Sequence, residues 1–353
     1  MVLSSIREKD FANINGDIIG EENLCFYFND GDMGTEINHH LCKKVLSYNN
    51  MLYSFDNGVI FGDSIVCNDD GEFIRESSYS LGFGFDSHRL NGNVLPKIDN
   101  YIDGTVLHLS SCFGNNYYHW SHFDLFKIIE SENMKLFDKV DYIYINSNKD
   151  WHKDCIDFFN IPKEKIINSN SNKILMAKKV VFFKEPLVCY ATSENFLKSL
   201  DLIFNKKYEK KSSIFFSRRD ARFRKLLNVD EVEDLFLDFG FEIIEPSKLS
   251  WVQQIELMKR TEVLAGIHGA SLANAIYMSG GEKLLEIHSP NYMNNCYVNL
   301  ALSRKLKYYS MIGEKFDESN FKRDMRTNFK LNLDTCSEYL YNFKKGDIEC
   351  SQL

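Results

Sequence analysis

The segment Lys259–Pro290 constrains the fold of this chain more than any other stretch. It contains two runs typical of buried strands, Val263–Ala265 and Lys283–Ile287. Between them lie a turn of small residues, Gly266–Ser271, and a helix start at Leu272–Met278. The pattern predicts a strand, a helix and a second strand in close succession.

The turn of this segment is suited to binding phosphate. A glycine-containing turn from strand to helix exposes backbone N–H groups beside the positive N-terminus of the helix. Short glycine-rich turns are weak signals, and the same small residues also let a helix pack tightly on a sheet, so both interpretations stay open. A P-loop is excluded because G-K-[ST] is missing, and G-I-H-G-A-S lacks the third glycine of a dinucleotide-binding fingerprint.

Strand and helix patterns alternate over most of the chain, which predicts an α/β protein. Short apolar pieces separated by Gly, Asp and Asn clusters predict that the first hundred residues are β-rich. We predict three parts: an N-terminal domain (1–185, with 1–100 β-rich and 101–185 α/β), a C-terminal Rossmann-like domain (186–313) and a tail (314–353). The boundary is placed near Pro186. A last helix, Thr335–Lys345, is predicted in the tail with Asp334 as its cap.

Composition excludes several classes of protein. The 353 residues carry a net charge of −8, whereas general nucleic-acid binders usually carry a basic surplus. No apolar run approaches the roughly 18 residues of a membrane-spanning helix, and the first residues lack the apolar core of a signal peptide. The nine cysteines are scattered without a C-x-x-C pair, as expected of reduced thiols. We therefore expect a cytoplasmic protein.

A basic cluster spans Lys206–Lys225. Its lysines are interpreted as a solvated charged loop. Its arginines follow the predicted strand Ser213–Ser217, and ligands of open α/β sheets bind at the carboxyl ends of strands. The guanidinium forks of Arg218 and Arg224 therefore predict phosphate binding. A groove for single-stranded nucleic acid is the competing interpretation, although only Phe223 supplies the aromatic side chain expected there.

A second polar cluster, Asn115–Asp124, follows the predicted strand Thr105–Leu109. Its His119, His122 and Asp124 could in principle bind a metal, but no further well-placed ligand follows, and no metal is predicted. A general base is the favoured role, because a histidine or an aspartate in a cleft can accept a proton from a hydroxyl. A capping or core-packing role is the alternative for His119.

The opening segment supplies further candidate groups. His268 lies within the turn, where an imidazole could contact a phosphate or a leaving group. Glu286 ends the following strand, where a carboxylate could bind a ribose diol. The candidates at the helix start are Gly269, Ala270, Ser271 and Asn274.

Taken together, these clusters resemble glycosyltransferase family 61. That family has approximately N-x-x-H-W-x-x-D, then S-R before R-x-x-x-N-E, and later G-x-H-G-A-x-L-x-N-x-x-F-x-x-P-G-x-x-x-x-E-I. The matching residues are Asn116, His119, Trp120, Asp124 (one residue later than the pattern), Ser217, Arg218, Arg224, Asn228, Gly266, His268, Gly269, Ala270, Leu272, Asn274, Gly281, Glu286 and Ile287. The departures are Tyr277 for Phe, Gly280 for Pro and Val229 for Glu.

The resemblance implies a GT-B-type fold, in which two Rossmann-like domains flank a cleft. It also implies an inverting transfer without a required metal. The C-terminal domain would hold a nucleotide sugar, with a UDP-sugar expected, and the N-terminal domain would present the acceptor. The last helix would cross back over both domains.

The residue roles expected under this resemblance follow from the motifs. Asp124 or His119 would deprotonate the acceptor hydroxyl, and cationic groups would stabilise the charge on the leaving diphosphate. Glu286 would hold the ribose. The donor-binding residues are expected to be Arg218, Arg224, His268, Gly269, Ala270, Ser271, Asn274 and Glu286.

We expect a bacterial-type, cytoplasmic enzyme of capsule or lipopolysaccharide synthesis. Its partners would be a nucleotide sugar and a glycan or glycolipid acceptor, without nucleic acid, and peripheral attachment to the inner membrane stays open. Two alternatives from other classes also stay open. One is a nucleotide-sugar-binding protein without catalysis, and the other is a nucleic-acid-binding module that uses Lys206–Lys225.

Overall fold

The fold belongs to the mixed α/β class, which confirms that part of the prediction. A computed structural model describes residues 7–9, 17–28, 44–62, 64–69, 72–74, 77, 97–169, 173–184, 192–206, 208, 212–315 and 327–348. The chain divides into two compact units: residues 1–25 with 47–191 (unit 1), and residues 26–46 with 192–353 (unit 2). The boundary predicted near Pro186 lies outside the described residues.

Unit 1 is built on a long mixed sheet. Its strands are β1 (Arg7–Lys9), β2 (Asp17–Phe28), β3 (Lys44–Phe61), β4 (Ile65–Cys67), β5 (Glu72–Ile74), β6 (Asn100–His108), β7 (Tyr142–Ile145), β8 (Ile166–Asn168) and β9 (Ile174–Phe183). The order across the sheet is β1-β5-β4-β3-β9-β6-β7-β8, with β2 off this path. β3 runs antiparallel to β4 and β9, whereas β9, β6, β7 and β8 run parallel to one another.

The parallel half of this sheet has the strand order of a doubly wound fold. Counted along the chain from β6, the order in space is 3-2-1-4, so the connections leave in opposite directions on the two sides of β6. Ligands of such sheets bind outside the carboxyl ends of the strands at this switch point. In unit 1 the switch point lies between β6 and β9.

Aromatic and β-branched side chains hold the centre of this sheet together, as their preference for pleated surfaces predicts. The rings of Tyr53 on β3 and Phe182 on β9 stack with centroids 5.6 Å apart. Gly58 lets β9 approach closely, because a Cβ at this position would lie 2.5 Å from Cγ2 of Val180. This packing holds β3 closely against β9, the strand that neighbours β6.

The helices of unit 1 follow its parallel strands. They are α1 (Tyr117–His119), a π turn (Trp120–Asp124), α2 (Leu125–Asn133), α3 (Asp150–Phe158) and a 3₁₀ turn (Lys163–Lys165). The side chain of Asn116 caps α1 by accepting from the N–H of Tyr118 at 3.0 Å. The first three segments therefore form one helical run directly after the β6 loop.

Unit 2 is built on a parallel sheet. Its elements are β10 (Thr192–Ser193), α4 (Glu194–Ile203), β11 (Ser212–Phe216), α5 (Val229–Asp238), β12 (Glu242–Ile244), a 3₁₀ turn (Pro246–Lys248), α6 (Trp251–Lys259), β13 (Thr261–Ile267), a 3₁₀ helix (Ala270–Tyr277), β14 (Lys283–His288), α7 (Cys296–Arg304), β15 (Lys307–Ile312), β16 (Glu314–Lys315), β17 (Phe329–Lys330) and α8 (Leu333–Lys345). The five-stranded parallel sheet has the order β12-β11-β13-β14-β15. Counted along the chain, this order is 2-1-3-4-5, and its switch point lies between β11 and β13.

Two local predictions for unit 2 are corrected. The helix expected at Leu272–Met278 is a 3₁₀ helix that begins at Ala270, with the N–H of Leu272 bonded to the carbonyl of Gly269 at 3.1 Å. The last helix begins at Leu333, and its cap is Asn332 rather than Asp334, because the Asn332 side chain accepts from the N–H of Thr335. Ser250 and Gln253 form a capping box at the start of α6.

Two further observations concern the described residues only. None of their helices is long and apolar enough to cross a membrane. The free and buried cysteines among them are Cys67, Cys112, Cys155, Cys296 and Cys336.

The cap assignment gives a stability prediction. We expect Asn332→Ala to lower the free energy of unfolding of unit 2 by about 1 kcal/mol, because the first turn of α8 loses its side-chain acceptor. The matched change Asp334→Asn should cost only about a few tenths of a kcal/mol through the helix dipole. Urea unfolding followed by circular dichroism compares the two variants, and an equal loss in both would contradict the assignment of Asn332 as the cap.

Candidate functional site

The residues predicted to bind phosphate lie at the switch point of the unit 2 sheet. Arg218 follows β11 and His268 follows β13, and these two strands are neighbours with Phe216 in register with Gly266. The topology therefore brings two separate sequence motifs to the edge where ligands of parallel sheets bind. We call Arg218, Arg224, His268 and Tyr292 the donor cluster.

Arg218 of the donor cluster packs directly on the backbone of the turn. Its Nη1 donates to the carbonyl of His268 at 3.1 Å. A Cβ on Gly269 would lie 2.5 Å from its Nε, so the guanidinium occupies the space that only a glycine leaves open. Burial, followed by the charge of Arg224, lowers the pKa of Arg218 to about 10, so the side chain stays cationic at neutral pH.

Arg224 adds a second cation to the donor cluster. Its backbone has a φ of 54°, in the left-handed region, and its guanidinium lies over the ring of Tyr292 at 4.5 Å. Burial is the main cause that lowers its pKa. Within the described part of the chain, Arg218 makes no ion pair with a carboxylate. Its positive charge is therefore not neutralised by a salt bridge.

A segment far along the chain fixes the backbone that carries Arg224. The side chain of Asn228 donates to the carbonyl of Leu331 at 2.8 Å and accepts from the N–H of Leu331 at 3.1 Å. The N–H of Leu227 donates to the carbonyl of Phe329 at 2.9 Å, and the N–H of Phe329 donates to the carbonyl of Lys225 at 3.1 Å. We call residues 328–331 the C-terminal clamp, since they hold 225–228 beside Arg224.

The other two arginines of the basic cluster have different partners. Arg219 forms ion pairs with Asp230 at 2.6 Å and Glu233 at 2.7 Å, which tie it to α5. Arg222 is exposed and lies over the ring of Phe223 at 5.2 Å. The structure therefore separates the arginines that face the turn, Arg218 and Arg224, from those that do not.

His268 begins a buried chain of polar groups across the sheet. Its Nδ1 makes a short hydrogen bond with Oε1 of Glu286, and the hydroxyl of Tyr308 donates to Oε2 of Glu286 at 2.7 Å. The Nε2 of His288 lies 3.1 Å from the same hydroxyl. Burial lowers the pKa of His268 well below its ordinary value and raises the pKa of Glu286, so burial favours the neutral form of each partner.

Glu286, which the sequence predicts to bind ribose, lies within this buried chain of polar groups. Its side chain is fully buried, and both carboxylate oxygens bond to other side chains of the protein. Asn274, another predicted donor ligand, is also fully buried, and its Nδ2 donates to Gln254 at 2.8 Å and to the carbonyl of Ser271 at 2.9 Å. Glu286 and Asn274 thus bond to other groups of the protein in its interior. Ser271 and Ala270 of the turn, in contrast, are partly exposed.

The buried polar groups around His268 include a possible set of metal ligands. Among the described residues, His268, Glu286 and His288 form the one group with a ligand atom of each within 4.8 Å of the others. The Nδ1 of His288 has no hydrogen-bond partner, but His268 and Glu286 bond to each other. A metal at this place would have to replace that hydrogen bond.

The unit 1 cluster lies at the other switch point, after β6. Asp124 is fully buried and accepts from the hydroxyl of Ser111 and from Nδ2 of Asn146 at 2.8 Å. Ser111 belongs to the β6 loop, and Asn146 directly follows β7. Asp124 thus ties the ends of two neighbouring strands to the helix.

His119 is the accessible member of this cluster. It is partly exposed, and its ring lies 5.4 Å from the ring of Phe113. Burial lowers its pKa to about 4, so the imidazole is neutral at neutral pH. His122 is buried, with Nδ1 2.9 Å from the carbonyl of Tyr118. The described side chains of His119, His122 and Asp124 do not bring a ligand atom of each within 4.8 Å of the others.

The π turn explains the spacing of this motif. It covers Trp120–Asp124, where the N–H of Leu125 bonds to the carbonyl of Trp120. A π turn holds one residue more than an α turn. The π turn therefore accommodates the one residue by which the spacing from Trp120 to Asp124 exceeds the family pattern. Asp124 still bonds to Ser111 of the β6 loop.

Sequence reasoning missed several residues of both clusters. They are Ser111, Asn146, Tyr292, Tyr297 and Tyr308. Asn146 could have been found, because it ends Asp141–Asn146, a run with the pattern of a strand. Tyr308 lies on β15, a strand that the sequence pattern did not predict, and no local signal connects it with Glu286.

With this geometry in place, comparison with known proteins identifies the class of protein. Residues 93–285 match the family model described as Glycosyltransferase 61. The match covers more than half of the chain, so the chain belongs to the glycosyltransferase 61 family, and the resemblance found in the motifs is confirmed.

Two proteins with the same name are similar to this chain in sequence. The EGF domain-specific O-linked N-acetylglucosamine transferase of Xenopus laevis is 23% identical over 156 residues, which cover 39% of this chain and 28% of that protein. The protein of the same name from Drosophila melanogaster is 26% identical over 121 residues, which cover 33% of this chain and 23% of that protein. The matches span about a quarter of the length of these relatives.

Three histidines of unit 1, two buried and one partly exposed, predict a pH-dependent stability. Burial lowers the pKa of His119, His122 and His152 from 6.5 to about 4. The unfolded state therefore binds protons at a higher pH than the folded state. The stability is fully present above about pH 6.5 and should fall towards pH 4 by up to about 1.4 kcal/mol per pH unit for each histidine.

Urea unfolding followed by tryptophan fluorescence measures this slope between about pH 4.5 and 6.5. The variant His152→Gln serves as the control, because its slope should be smaller by about one proton. A stability that does not change over this range would contradict burial of the three neutral imidazoles.

Proposed function

We propose that this chain is an inverting glycosyltransferase that moves a sugar from a nucleotide donor to a hydroxyl of a glycan. The observation that carries this proposal is the donor cluster, in which two guanidinium groups and a glycine-rich turn meet at the switch point of a parallel sheet. Arginine forks and exposed turn N–H groups suit the oxygens of a diphosphate. Membership of the glycosyltransferase 61 family supports the same reaction class.

The donor cluster would act on the leaving group. As the bond from the sugar to the diphosphate breaks, negative charge develops on the diphosphate oxygens. Preorganised cations and N–H groups stabilise such charge most effectively where water is excluded. Arg218 and Arg224 are partly buried and fixed by the turn and by the C-terminal clamp, so little reorganisation is needed.

His268 would donate a hydrogen bond to the same leaving group. Its Nδ1 bonds to Glu286, whose pKa is raised by burial, so a protonated Glu286 can donate to Nδ1 and leave the proton on Nε2. The Nε2–H of a neutral imidazole could then meet a diphosphate oxygen. Glu286 and Tyr308 are thus proposed to set the tautomer of His268, and Glu286 no longer serves as the ribose ligand in this proposal.

His119 is the proposed general base. The sequence left the choice between Asp124 and His119 open, and exposure favours His119, since Asp124 is fully buried with Ser111 and Asn146 as partners. A base must come within hydrogen-bond reach of the hydroxyl that it deprotonates. Asp124 is assigned a positioning role for the β6 loop.

The same proposal includes a specific donor and a class of acceptor. A UDP-sugar is the proposed donor, and N-acetylglucosamine is the first sugar to test because the similar proteins are named for its transfer. A glycan or glycolipid of capsule or lipopolysaccharide stays the predicted acceptor. The GT-B arrangement, a metal-independent reaction and cytoplasmic localisation also stay predictions.

Donor binding can be tested by thermal shift with UDP-, GDP- and CMP-sugars. A ligand present at 100 times its Kd stabilises the native state by about 2.7 kcal/mol, so the true donor should raise the melting temperature clearly. Arg218→Met should abolish this shift because a charge beside the turn is lost. The matched control Arg222→Met changes an exposed arginine of the same segment and should keep the shift.

Two outcomes would count against the donor assignment. One is a full shift in Arg218→Met at the same ligand concentration. The other is stabilisation by single-stranded DNA, with a steep dependence on salt, in place of stabilisation by nucleotide sugars.

The base assignment is tested by kinetics of donor hydrolysis and transfer. His119→Ala should lower kcat by about 100-fold or more, as expected for loss of a general base, while the donor-induced thermal shift stays unchanged. Asp124→Asn should lower the melting temperature as well, because it disturbs the bonds to Ser111 and Asn146. Normal turnover in His119→Ala would place the base elsewhere.

A further inference from the structure

We propose that Phe113 is the platform on which a sugar ring of the acceptor stacks. This inference rests on the proposed function, in which His119 accepts the proton of the acceptor hydroxyl, and it adds a binding residue for the acceptor. Neither the sequence motifs nor the family match assigns a role to Phe113.

Phe113 is exposed in a conformation that a bulky residue rarely adopts. Its side chain is 59% exposed, and its φ is 64°, in the left-handed region. A large side chain at positive φ costs conformational free energy, and such residues cluster at functional sites. Glycine or asparagine would fit this backbone better, and neither would expose an apolar ring to water.

The surrounding loop holds Phe113 firmly in this position. The N–H of Asn116 donates to the carbonyl of Phe113 at 2.7 Å, and the N–H of Gly114 donates to the carbonyl of Ser111 at 3.0 Å. The Nε2 of His152 lies 3.0 Å from the carbonyl of Gly114. Gly114 also fits closely against Asp124, since a Cβ there would lie 2.6 Å from Oδ2. The loop therefore imposes the strained conformation rather than merely permitting it.

The ring of Phe113 lies where an acceptor sugar would have to be. Its centroid is 5.4 Å from that of His119, and the two ring planes are inclined by 47°. An acceptor hydroxyl within hydrogen-bond reach of His119 brings the sugar that carries it over this exposed ring. The electron-rich face of an aromatic ring attracts the polarised C–H groups on the apolar face of a pyranose. Phe113 would thus orient the acceptor, while His119 remains the group that touches the reacting proton.

Two variants separate this role from a structural one. Phe113→Asn removes the ring and suits the backbone, so its melting temperature should equal or exceed that of the wild type. Phe113→Tyr keeps the ring and should retain acceptor binding. The control Tyr101→Thr removes a similarly exposed aromatic side chain (53% exposed) from β6 and should leave acceptor binding unchanged.

The measurement is saturation-transfer difference NMR with the full chain and a series of methyl β-glycosides of glucose, galactose, mannose and N-acetylglucosamine. Phe113→Asn should weaken the Kd of the glycoside that binds the wild type by about fivefold to tenfold, as expected for one aromatic contact. The donor-induced thermal shift should be the same in all variants.

The possible failures are distinguishable. Unchanged glycoside binding in Phe113→Asn overturns the inference, and so does the absence of glycoside binding to a wild type that responds to nucleotide sugars. A lower melting temperature of Phe113→Asn would indicate a structural role and also overturn it. A wild type that responds neither to glycosides nor to nucleotide sugars would instead overturn the proposed function.

Discussion

The donor cluster depends on one contact, the packing of the Arg218 guanidinium against Gly269. The cation comes from the end of β11 and the glycine from the end of β13, so the contact joins two neighbouring strands at the switch point. Any side chain at Gly269 would displace the guanidinium from the carbonyl of His268. The carbonyl of Gly269 in turn accepts from the hydroxyl of Tyr297 at 2.5 Å, which fixes the turn from its other side.

Much of the fold could be predicted because its elements are encoded locally. The strands expected at Val263–Ala265 and Lys283–Ile287 lie within β13 and β14, and a local capping box at Ser250 starts α6. The form of the helix after Gly269 could not be predicted, because α6 and α7 pack on it, and these contacts are distant in sequence. The sequence offers two good cap formers for α8, Asn332 and Asp334, which lie two residues apart. The pattern predicts Asp334, whereas the backbone selects Asn332.

The candidate site was predictable in its residues but less so in their roles. Arg218 and Arg224 face the turn, as the motif suggested, whereas Glu286 and Asn274 were assigned to the donor although both are fully buried. Motif spacing shows that a carboxylate ends a strand, but it does not show which face of the sheet it occupies. That face is set by Tyr308, a partner on a strand 22 residues further along the chain.

The C-terminal clamp has a consequence for how the protein can be divided. The stretch recognisable by family similarity ends at residue 285, within β14, whereas the backbone beside Arg224 is held by residues 328–331. A fragment cut at the limits of that similarity would keep both arginines and lose what holds one of them in place. The smallest piece of this chain that keeps the contacts holding Arg224 in place therefore extends well beyond its recognisable motifs.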